Sequence, residues 1–168
     1  MTKLTMTVGL PGSGKSTWAR ARVLEAPPGT VVRVNKDDLR RMLHADRYDG
    51  RRTEAEVEIA QEVLLRDLLS RGVGVICDDT GFGHEARLQA VAEDLGAEFV
   101  VVDDFLQVPV DECIANDLKR CDSVGESVIR KMYRKHIRYF TDVLAVTARP
   151  SLACRTRSSS TSTARLRT

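Results

Sequence analysis

The chain has 168 residues, of which 42% are hydrophobic and 30% charged, as is typical of one soluble globular domain. It contains no apolar run of the roughly 18–20 residues that a membrane-spanning helix needs. The first apolar segment begins almost at Met1 without a signal-peptide pattern, and the four cysteines lack zinc-site spacing. We therefore expect a cytoplasmic protein rather than a membrane protein or a disulfide-bonded secreted domain.

The formal net charge of +2 depends on the last part of the chain. Residues 149–168 hold five of the 26 basic residues and no acid, which leaves 21 basic against 24 acidic residues, a net charge of −3, in the rest. A nucleic-acid ligand would therefore have to bind in a local groove, because most of the chain is not basic.

A phosphate-binding loop follows the first predicted strand. Residues 9–16 read GLPGSGKS, the G-x-x-x-x-G-K-S pattern, between an apolar run at 4–8 and a helical pattern from Lys15 to Glu25. Such a loop directs backbone N–H groups at a polyphosphate, while Lys15 reaches the terminal phosphates and Ser16 ligates Mg²⁺. The alternative, an ordinary Gly-rich turn before a helix, does not require the Lys-Ser pair. The predicted nucleotide-binding residues are Gly12, Ser13, Gly14, Lys15, Ser16 and Thr17.

The remaining elements alternate between strands and helices. The predicted strands are 31–35, 73–77 and 98–102, and the predicted helices are 36–44, 53–71, 85–95, 110–120 and 126 to about 146. Thr53 and Glu56 form a predicted capping box. This order predicts an α/β fold with a mostly parallel central sheet flanked by helices. Ligands of such sheets bind at the carboxyl ends of the strands, where the glycine loop would meet residues 35–38, 78–80 and 103–104.

Asp37 and Asp38 follow the second strand, where a carboxylate can take the proton of an attacking hydroxyl. Acids in a first helical turn also serve as N-caps, and we assign that role to Asp38 and the chemical role to Asp37. Arg40 lies one turn after Asp37 on the same helix face and could bind a phosphate bidentately. Solvated surface charge is an equal alternative for Arg40.

Two further element ends carry charged candidates. Asp79 follows the third strand, which suits a Mg²⁺-water contact or the anchoring of an arginine, and nearly as well a cap for the next helix. Arg120 closes a helix just before the 121–125 loop, a position typical of a lid, where it could neutralise charge on a transferring phosphoryl group. A helix-terminal cation stabilised by the dipole is an equal alternative.

Several segments resemble the 5′-kinase domain of phage polynucleotide kinase–phosphatases, over roughly residues 3–140. They are GLPGSGKSTWAR at the glycine loop, NKDDLR at 35–40, Asp79-Thr80, Lys119-Arg120 and Ile129-Arg-Lys-Met-Tyr133. The resemblance implies a P-loop kinase fold with a helical lid, ATP and Mg²⁺ as cofactors, and a 5′-hydroxyl end of DNA or RNA as acceptor. A phage-encoded member of the family would act in the host cytoplasm.

The resemblance also implies roles for individual residues. Asp37 would be the general base, Arg40 would bind the phosphate on the 3′ side of the acceptor nucleotide, and Arg120 would stabilise the transition state. Asp79 would be an active-site carboxylate. Where the family often has an additional lid arginine, this chain has Asn116 or Asp117.

The predicted function is ATP- and Mg²⁺-dependent phosphorylation of 5′-hydroxyl polynucleotide ends by a domain comprising residues 1–148. One alternative is a small-molecule or nucleoside kinase on the same fold. Another is a nucleotide-binding ATPase or switch without an acceptor, although the chain has no N-K-x-D block of the kind that reads guanine.

The tail, residues 149–168, is predicted to be disordered or frameshifted, since the stretch 158–165 contains no core-forming residue. Displaced by one base, the codons of that stretch can encode VLVDIDGT, which resembles the D-x-D-G-T nucleophile loop that opens the phosphatase domain of the same phage family. A chance Ser/Thr-rich tail is the alternative. We predict a frameshift between about Arg149 and Arg157, which an alternative frame running quickly into stop codons would contradict.

Overall fold

The computed structural model describes residues 2–47 and 49–137, which form one sheet and the helices around it. The strands are β1 (Lys3–Thr7), β2 (Val31–Val34), β3 (Gly74–Cys77) and β4 (Glu98–Val102). The α-helices are α1 (Lys15–Glu25), α2 (Lys36–His44), α3 (Gly50–Ser70), α4 (Glu85–Asp94), α5 (Val110–Asp117) and α6 (Glu126–Met132). A 3-10 helix spans Asp104–Gln107, and a π-helical turn spans Tyr133–Ile137. Within the described ranges, no helix combines the length and the apolar content that crossing a membrane requires.

The sheet has the strand order β2-β3-β1-β4, and all its strand pairs are parallel. Strand β1 therefore lies inside the sheet, with Met6 opposite Cys77 of β3 and Val101 of β4. Parallel strands need crossover connections, and the helices between the strands supply them. The predicted α/β fold with a parallel sheet flanked by helices is confirmed.

Two apolar clusters hold the described part of the chain together. The larger packs α3 and α4 against the sheet, and its most deeply buried members are Leu4, Met6, Val57, Leu65, Val75 and Ala92. The smaller consists of Leu10, Cys113, Ile114, Ile129 and Ile137. Because Leu10 belongs to the glycine loop, the smaller cluster fixes α5 and α6 to that loop.

Helix α3 begins at Gly50, so the capping box predicted for Thr53 and Glu56 is wrong. Thr53 lies within the first turn, where its hydroxyl donates to the Gly50 carbonyl at 3.2 Å and accepts from the Asp49 N–H at 3.1 Å. Glu56 instead lies beside His44, with 3.4 Å between the carboxylate and Nε2. Here the helix starts three residues before Thr53, so the S/T-x-x-E pattern lies inside the first turns and not at the cap.

Helix α5 is shorter than the predicted 110–120. Helix α5 ends at Asp117, whose buried carboxylate accepts from the Ser123 hydroxyl at 2.7 Å and from the Gly125 N–H at 3.1 Å, turning the chain back on itself. Helix α6 ends at Met132 and continues as the π-helical turn. The remainder of the predicted last helix, the domain boundary at residue 148 and the 149–168 tail lie outside the described residues.

Candidate active site

The glycine loop joins β1 to α1 and leaves the N-terminus of that helix without a side-chain cap. Gly14 occupies the cap position with φ of 96°, and a Cβ built there would have no atom within 4 Å. The first turn of α1 contains no acid. Its backbone N–H groups are therefore directed at a space where an anion can bind, which fits a polyphosphate.

Gly12 is required for a different reason, namely a close approach by α5. A Cβ on Gly12 would lie 2.1 Å from the carbonyl oxygen of Cys113, and the residue has φ of 79°. The Asn116 side chain also donates to the Gly12 carbonyl at 3.2 Å. Any other residue at position 12 would push α5 off the loop.

Lys15 is buried and lies over the loop that precedes it. Its ammonium donates to the carbonyls of Gly9 and Leu10 at 2.9 and 2.6 Å and to Ser13 Oγ at 3.4 Å. Burial lowers the pKa of Lys15 to about 8, an effect that the negative charge of Asp78 partly opposes. All three acceptors are neutral, so a bound polyphosphate would supply the compensating charge.

The hydroxyl side chains of the loop lie at different depths. Ser13 is buried, Ser16 is half-buried in the first turn of α1, and Thr17 is exposed. Among the residues that the structure describes, no group of three or more His, Cys, Asp or Glu side chains could hold a metal ion. The Ser16 hydroxyl, together with phosphate and water oxygens, could ligate a Mg²⁺ ion, a coordination that suits this ion.

Helix α2 is capped by Asn35, which follows β2 and accepts from the N–H groups of Asp37 and Asp38 at 2.9 and 3.2 Å. The assignment of the cap to Asp38 is therefore wrong. The Asp38 side chain pairs instead with Arg33 and, at 3.3 Å, with Arg41. The side chain of Asp37 is 67% exposed and that of Asp38 is 45% exposed, so Asp37 is the more open of the two acids.

Arg40 shares a helix face with Asp37, as the i+3 spacing predicts. Its Nη1 donates to the Asp37 carboxylate, while Nε and Nη2 donate to Glu54 of α3 at distances from 2.9 to 3.1 Å. Its side chain is 26% exposed. Arg40 is thus held between two carboxylates and is only partly exposed to solvent.

Asp79 connects β3 to α2 rather than capping the next helix. Its two carboxylate oxygens accept from the Lys36 N–H at 2.8 Å and from Gln61 Nε2 at 2.7 Å. Gln61 in turn accepts from Arg87 Nη2 at 2.5 Å, so the contact with an arginine is indirect. Burial raises the pKa of Asp79, although these two hydrogen bonds counteract part of the effect. The N-cap of the next helix, α4, is His84.

Arg120 lies after the end of α5, at the start of the 121–125 loop. Its Nε and Nη2 donate to the two carboxylate oxygens of Asp122 at 3.1 and 3.0 Å. That hydrogen-bonded pair raises the pKa of Arg120, against the effect of burial. Its Nη1 also lies 3.9 Å from Oδ1 of Asp117, the last residue of α5, so the guanidinium connects the end of the helix to the loop.

A row of alternating charges connects the 121–125 loop to the buried end of β3. Asp122 Oδ2 lies 3.7 Å from Arg41 Nη2 of α2, and Arg41 pairs with Asp38. Arg33 then joins Asp38 to the fully buried Asp78, with 2.8 Å between Arg33 Nε and Asp78 Oδ2. The lid candidate and the helix that carries Asp37 are thus in direct contact.

Electrostatic effects relate three of the predicted chemical groups to one another. Beyond the larger effect of burial, the charge of Arg120 contributes to lowering the pKa of Lys15. The charge of Asp37 likewise adds to the effect of Asp122 in raising the pKa of Arg120. Such effects fall off with distance, so Arg120 lies within electrostatic range of both Lys15 and Asp37.

Several residues of this site were given no individual role by the sequence. They are Arg33, Asn35, Glu54, Gln61, Arg87 and Asp122. Glu54 illustrates why they were missed, because α3 carries four glutamates with no local feature to separate them. Of these residues, only Asn35 had a role that the sequence could indicate, because an asparagine directly before a helix is a preferred N-cap.

A parallel sheet with a glycine loop after an interior strand and a buried lysine over that loop is characteristic of a P-loop domain that binds nucleoside triphosphates. A family model described as "AAA domain" matches residues 4–138, and the chain belongs to this family.

Curated relatives include kinases with different named acceptors. The chain is 26% identical to an adenylate kinase of Helicobacter pylori over 86% of this chain and 80% of the relative. It is 23% identical to the L-seryl-tRNA(Sec) kinase of Methanococcus maripaludis, over 79% of this chain but only 51% of the relative.

One similar solved structure belongs to an RNA repair complex, and another is an APS kinase. A chain of the Pnkp1/Rnl/Hen1 RNA repair complex is 28% identical with a TM-score of 0.67, over 84% of this chain and 46% of its own length. The Mycobacterium tuberculosis APS kinase CysC, solved with AMPPNP and APS, is 27% identical with a TM-score of 0.55. The match covers 70% of this chain and 69% of the APS kinase. The present chain thus spans about half of the RNA repair protein. These comparisons support the kinase class, while the phage polynucleotide kinase resemblance remains a prediction.

Proposed function

We propose that this domain transfers the γ-phosphoryl group of ATP to the 5′-hydroxyl end of DNA or RNA. The observation that carries the proposal is the Asp37–Arg40 pair at the start of α2. It combines a carboxylate that can take a hydroxyl proton with a guanidinium that can bind a phosphate of the acceptor. Similarity to a chain of an RNA repair complex supports a nucleic-acid acceptor.

On the donor side, the glycine loop and Lys15 bind the triphosphate, and the Ser16 hydroxyl holds Mg²⁺. The bound metal ion supplies charge neutralisation at the phosphate oxygens. Arg120 would leave Asp122 to pair with the phosphoryl group as negative charge develops there. The short α5 and the 121–125 loop would serve as the lid.

On the acceptor side, Asp37 accepts the proton of the 5′-hydroxyl while the hydroxyl oxygen forms its bond to phosphorus and the bond to the nucleoside diphosphate breaks. Arg40 binds the phosphate on the 3′ side of the acceptor nucleotide. A guanidinium has five N–H donors, and the contacts with Glu54 and Asp37 use four of them, so one N–H of Nη1 is left for that phosphate. Asp79 holds the start of α2, and with it Asp37, at the end of the sheet.

A small-molecule acceptor is the second candidate. It is favoured by the similarity to an adenylate kinase and to an APS kinase, each of which matches this chain at 26–27% identity. Lys15, Ser16 and Arg120 would keep their roles in that case, and only the ligand of Arg40 would differ.

The deciding experiment offers labelled ATP together with one acceptor at a time. The acceptors are a 5′-hydroxyl DNA, a 5′-hydroxyl RNA, the same oligonucleotides with a 5′-phosphate, AMP, and nucleosides with and without a 3′-phosphate. The proposal expects the highest kcat/KM for a 5′-hydroxyl oligonucleotide and no transfer to its 5′-phosphorylated form. A higher kcat/KM for AMP, or phosphate release without transfer, would contradict it.

The same panel tests the assigned role of Arg40. Arg40→Ala should raise the KM for oligonucleotides more than the KM for ATP, because the lost contact lies on the acceptor. The variant should also discriminate less between a nucleoside with a 3′-phosphate and one without. A change confined to the KM for ATP would contradict the role.

A further inference from the structure

We propose that Glu54 of α3 is a positioning residue that orients Arg40, and through Arg40 the carboxylate of Asp37. The inference rests on the proposed role of Asp37 as the general base. Glu54 does not touch the reacting atoms in this assignment. It fixes the direction from which the Arg40 guanidinium approaches the Asp37 carboxylate.

The first support is the geometry of the Glu54–Arg40 pair. Arg40 Nε donates to Oε2 at 3.0 Å, and Nη2 donates to Oε2 and Oε1 at 2.9 and 3.1 Å. Two nitrogens on one edge of a planar guanidinium are thus tied to one carboxylate, which fixes the plane of the group. The third nitrogen, Nη1, then points to Asp37.

The second support is the surroundings of Glu54, which fix the carboxylate itself. Lys36, only 5% exposed, donates to Glu54 Oε1 at 3.2 Å and to Glu58 Oε1 at 2.7 Å. The backbone of Lys36 is in turn held by Asp79. Glu54 therefore receives donors from two side chains of α2 and cannot reorient without releasing both.

The third support is electrostatic. Burial alone would raise the pKa of Glu54, yet the hydrogen bonds and charges of Arg40 and Lys36 outweigh it and hold that pKa below its usual range. Glu54 thus stays ionised and balances the charge of Arg40.

The chain provides a matched control in Glu58. It lies one turn after Glu54 on the same helix and shares Lys36 as a partner, and its described contacts do not include Arg40. Glu54→Gln and Glu58→Gln each remove one negative charge beside Lys36. Only the first removes the charge that holds Arg40.

The kinetic test is a double-mutant cycle on kcat, using the acceptor that the unmodified chain phosphorylates best. Glu54→Gln should lower kcat about tenfold and leave the KM for ATP within about twofold, while Glu58→Gln stays within about twofold in both. In the Arg40→Ala background, Glu54→Gln should have no further effect on kcat. Full additivity of the two substitutions would overturn the inference, because a merely structural role does not depend on Arg40.

A second measurement needs no acceptor. In ¹⁵N-arginine-labelled protein, the Nε–H of Arg40 should exchange slowly with water in the unmodified chain and in Asp37→Asn, and fast in Glu54→Gln. Equal exchange in all three would overturn the inference.

The two measurements separate this inference from the proposed function. Transfer to AMP instead of oligonucleotides would contradict the polynucleotide proposal. The Glu54→Gln and Arg40→Ala double-mutant cycle would then be measured with AMP as the acceptor and would still test the role of Glu54. If the unmodified chain phosphorylated no acceptor, the exchange measurement would decide whether Glu54 orients Arg40.

Discussion

The carboxylate of Asp79 accepts a hydrogen bond from the backbone N–H of Lys36 at 2.8 Å, so a residue at the end of β3 satisfies the first turn of α2. The next residue of that turn is the proposed general base, Asp37. A contact between the ends of two neighbouring strands thus fixes where Asp37 lies relative to the sheet.

Burial of Asp79 gives a prediction about stability and pH. Because burial raises its pKa in the folded chain, ionisation of Asp79 costs stability as pH rises through that folded pKa. Asp79→Asn cannot ionise and avoids this cost. The free energy of unfolding of Asp79→Asn relative to the unmodified chain should therefore increase between about pH 4 and pH 7. Urea unfolding at both pH values measures the difference, and a decrease would contradict the assigned direction.

The fully buried Gln61 links Asp79 to Arg87 and should be important for stability. Gln61→Met keeps a similar volume but leaves a buried carboxylate oxygen and a guanidinium N–H without their partner, at a cost of about 1–3 kcal/mol. Gln89→Met is the control, since Gln89 is an exposed glutamine bonded only to Glu93 among the described contacts. Its effect should stay within about 0.5 kcal/mol in urea unfolding. Equal effects of the two substitutions would contradict the prediction.

The lowered pKa of Lys15 predicts proton uptake when a nucleotide binds. In the ligand-free chain its pKa is about 8, and the negative charge of a polyphosphate should raise it. At about pH 9, binding should therefore draw protons from the buffer, whereas at about pH 6 Lys15 is already protonated and the uptake should vanish. Calorimetry in two buffers of different ionisation enthalpy measures it. Lys15→Met should abolish both the uptake and phosphoryl transfer, and uptake that survives in this variant would assign it to another group.

Asp37 and Asp38 form a matched pair for testing the general base. Asp37→Asn should still bind nucleotide but lower kcat by about 10²-fold or more, because the hydroxyl proton loses its acceptor. Asp38→Asn should mainly affect stability, since Asp38 pairs with Arg33 and Arg41. Steady-state kinetics and nucleotide titration of both variants decide the matter. Near-normal turnover of Asp37→Asn with loss in Asp38→Asn would reverse the assignment.

Arg120 should act on the phosphoryl group rather than on the acceptor. Arg120→Ala should lower kcat by about 10²-fold or more while acceptor binding stays nearly unchanged, as expected for a contact made in the transition state. Arg130→Ala is the control, because Arg130 pairs with Glu126 and Asp111 on the surface of α6. The control should keep its kcat. An Arg120→Ala variant that changed only the KM for ATP would contradict the role.

Local patterns sufficed for the elements and for the donor side of the site. The glycine loop lies where its spacing predicts, since G-x-x-x-x-G-K-S needs only a strand before it and a helix after it. Helix α2 and strand β4 have the predicted bounds, because acids at the first turn and an apolar run are local features. Start and end points were less reliable. The early start of α3 and the end of α5 at Asp117 each depend on side-chain hydrogen bonds that a periodic pattern does not contain.

The sequence by itself determined the α/β order, the phosphate loop and the placement of Asp37 and Arg40 on one helix face, because each depends on residues within one element or one motif. Only the tertiary structure decided what surrounds that pair. The strand order β2-β3-β1-β4 sets β3 beside β2, and this brings Asp79 to the Lys36 N–H across 43 positions of the chain. Helix α3 packs on α2 and supplies Glu54. Contacts between distant segments follow from how elements pack, and packing depends on the whole core rather than on any short stretch of residues.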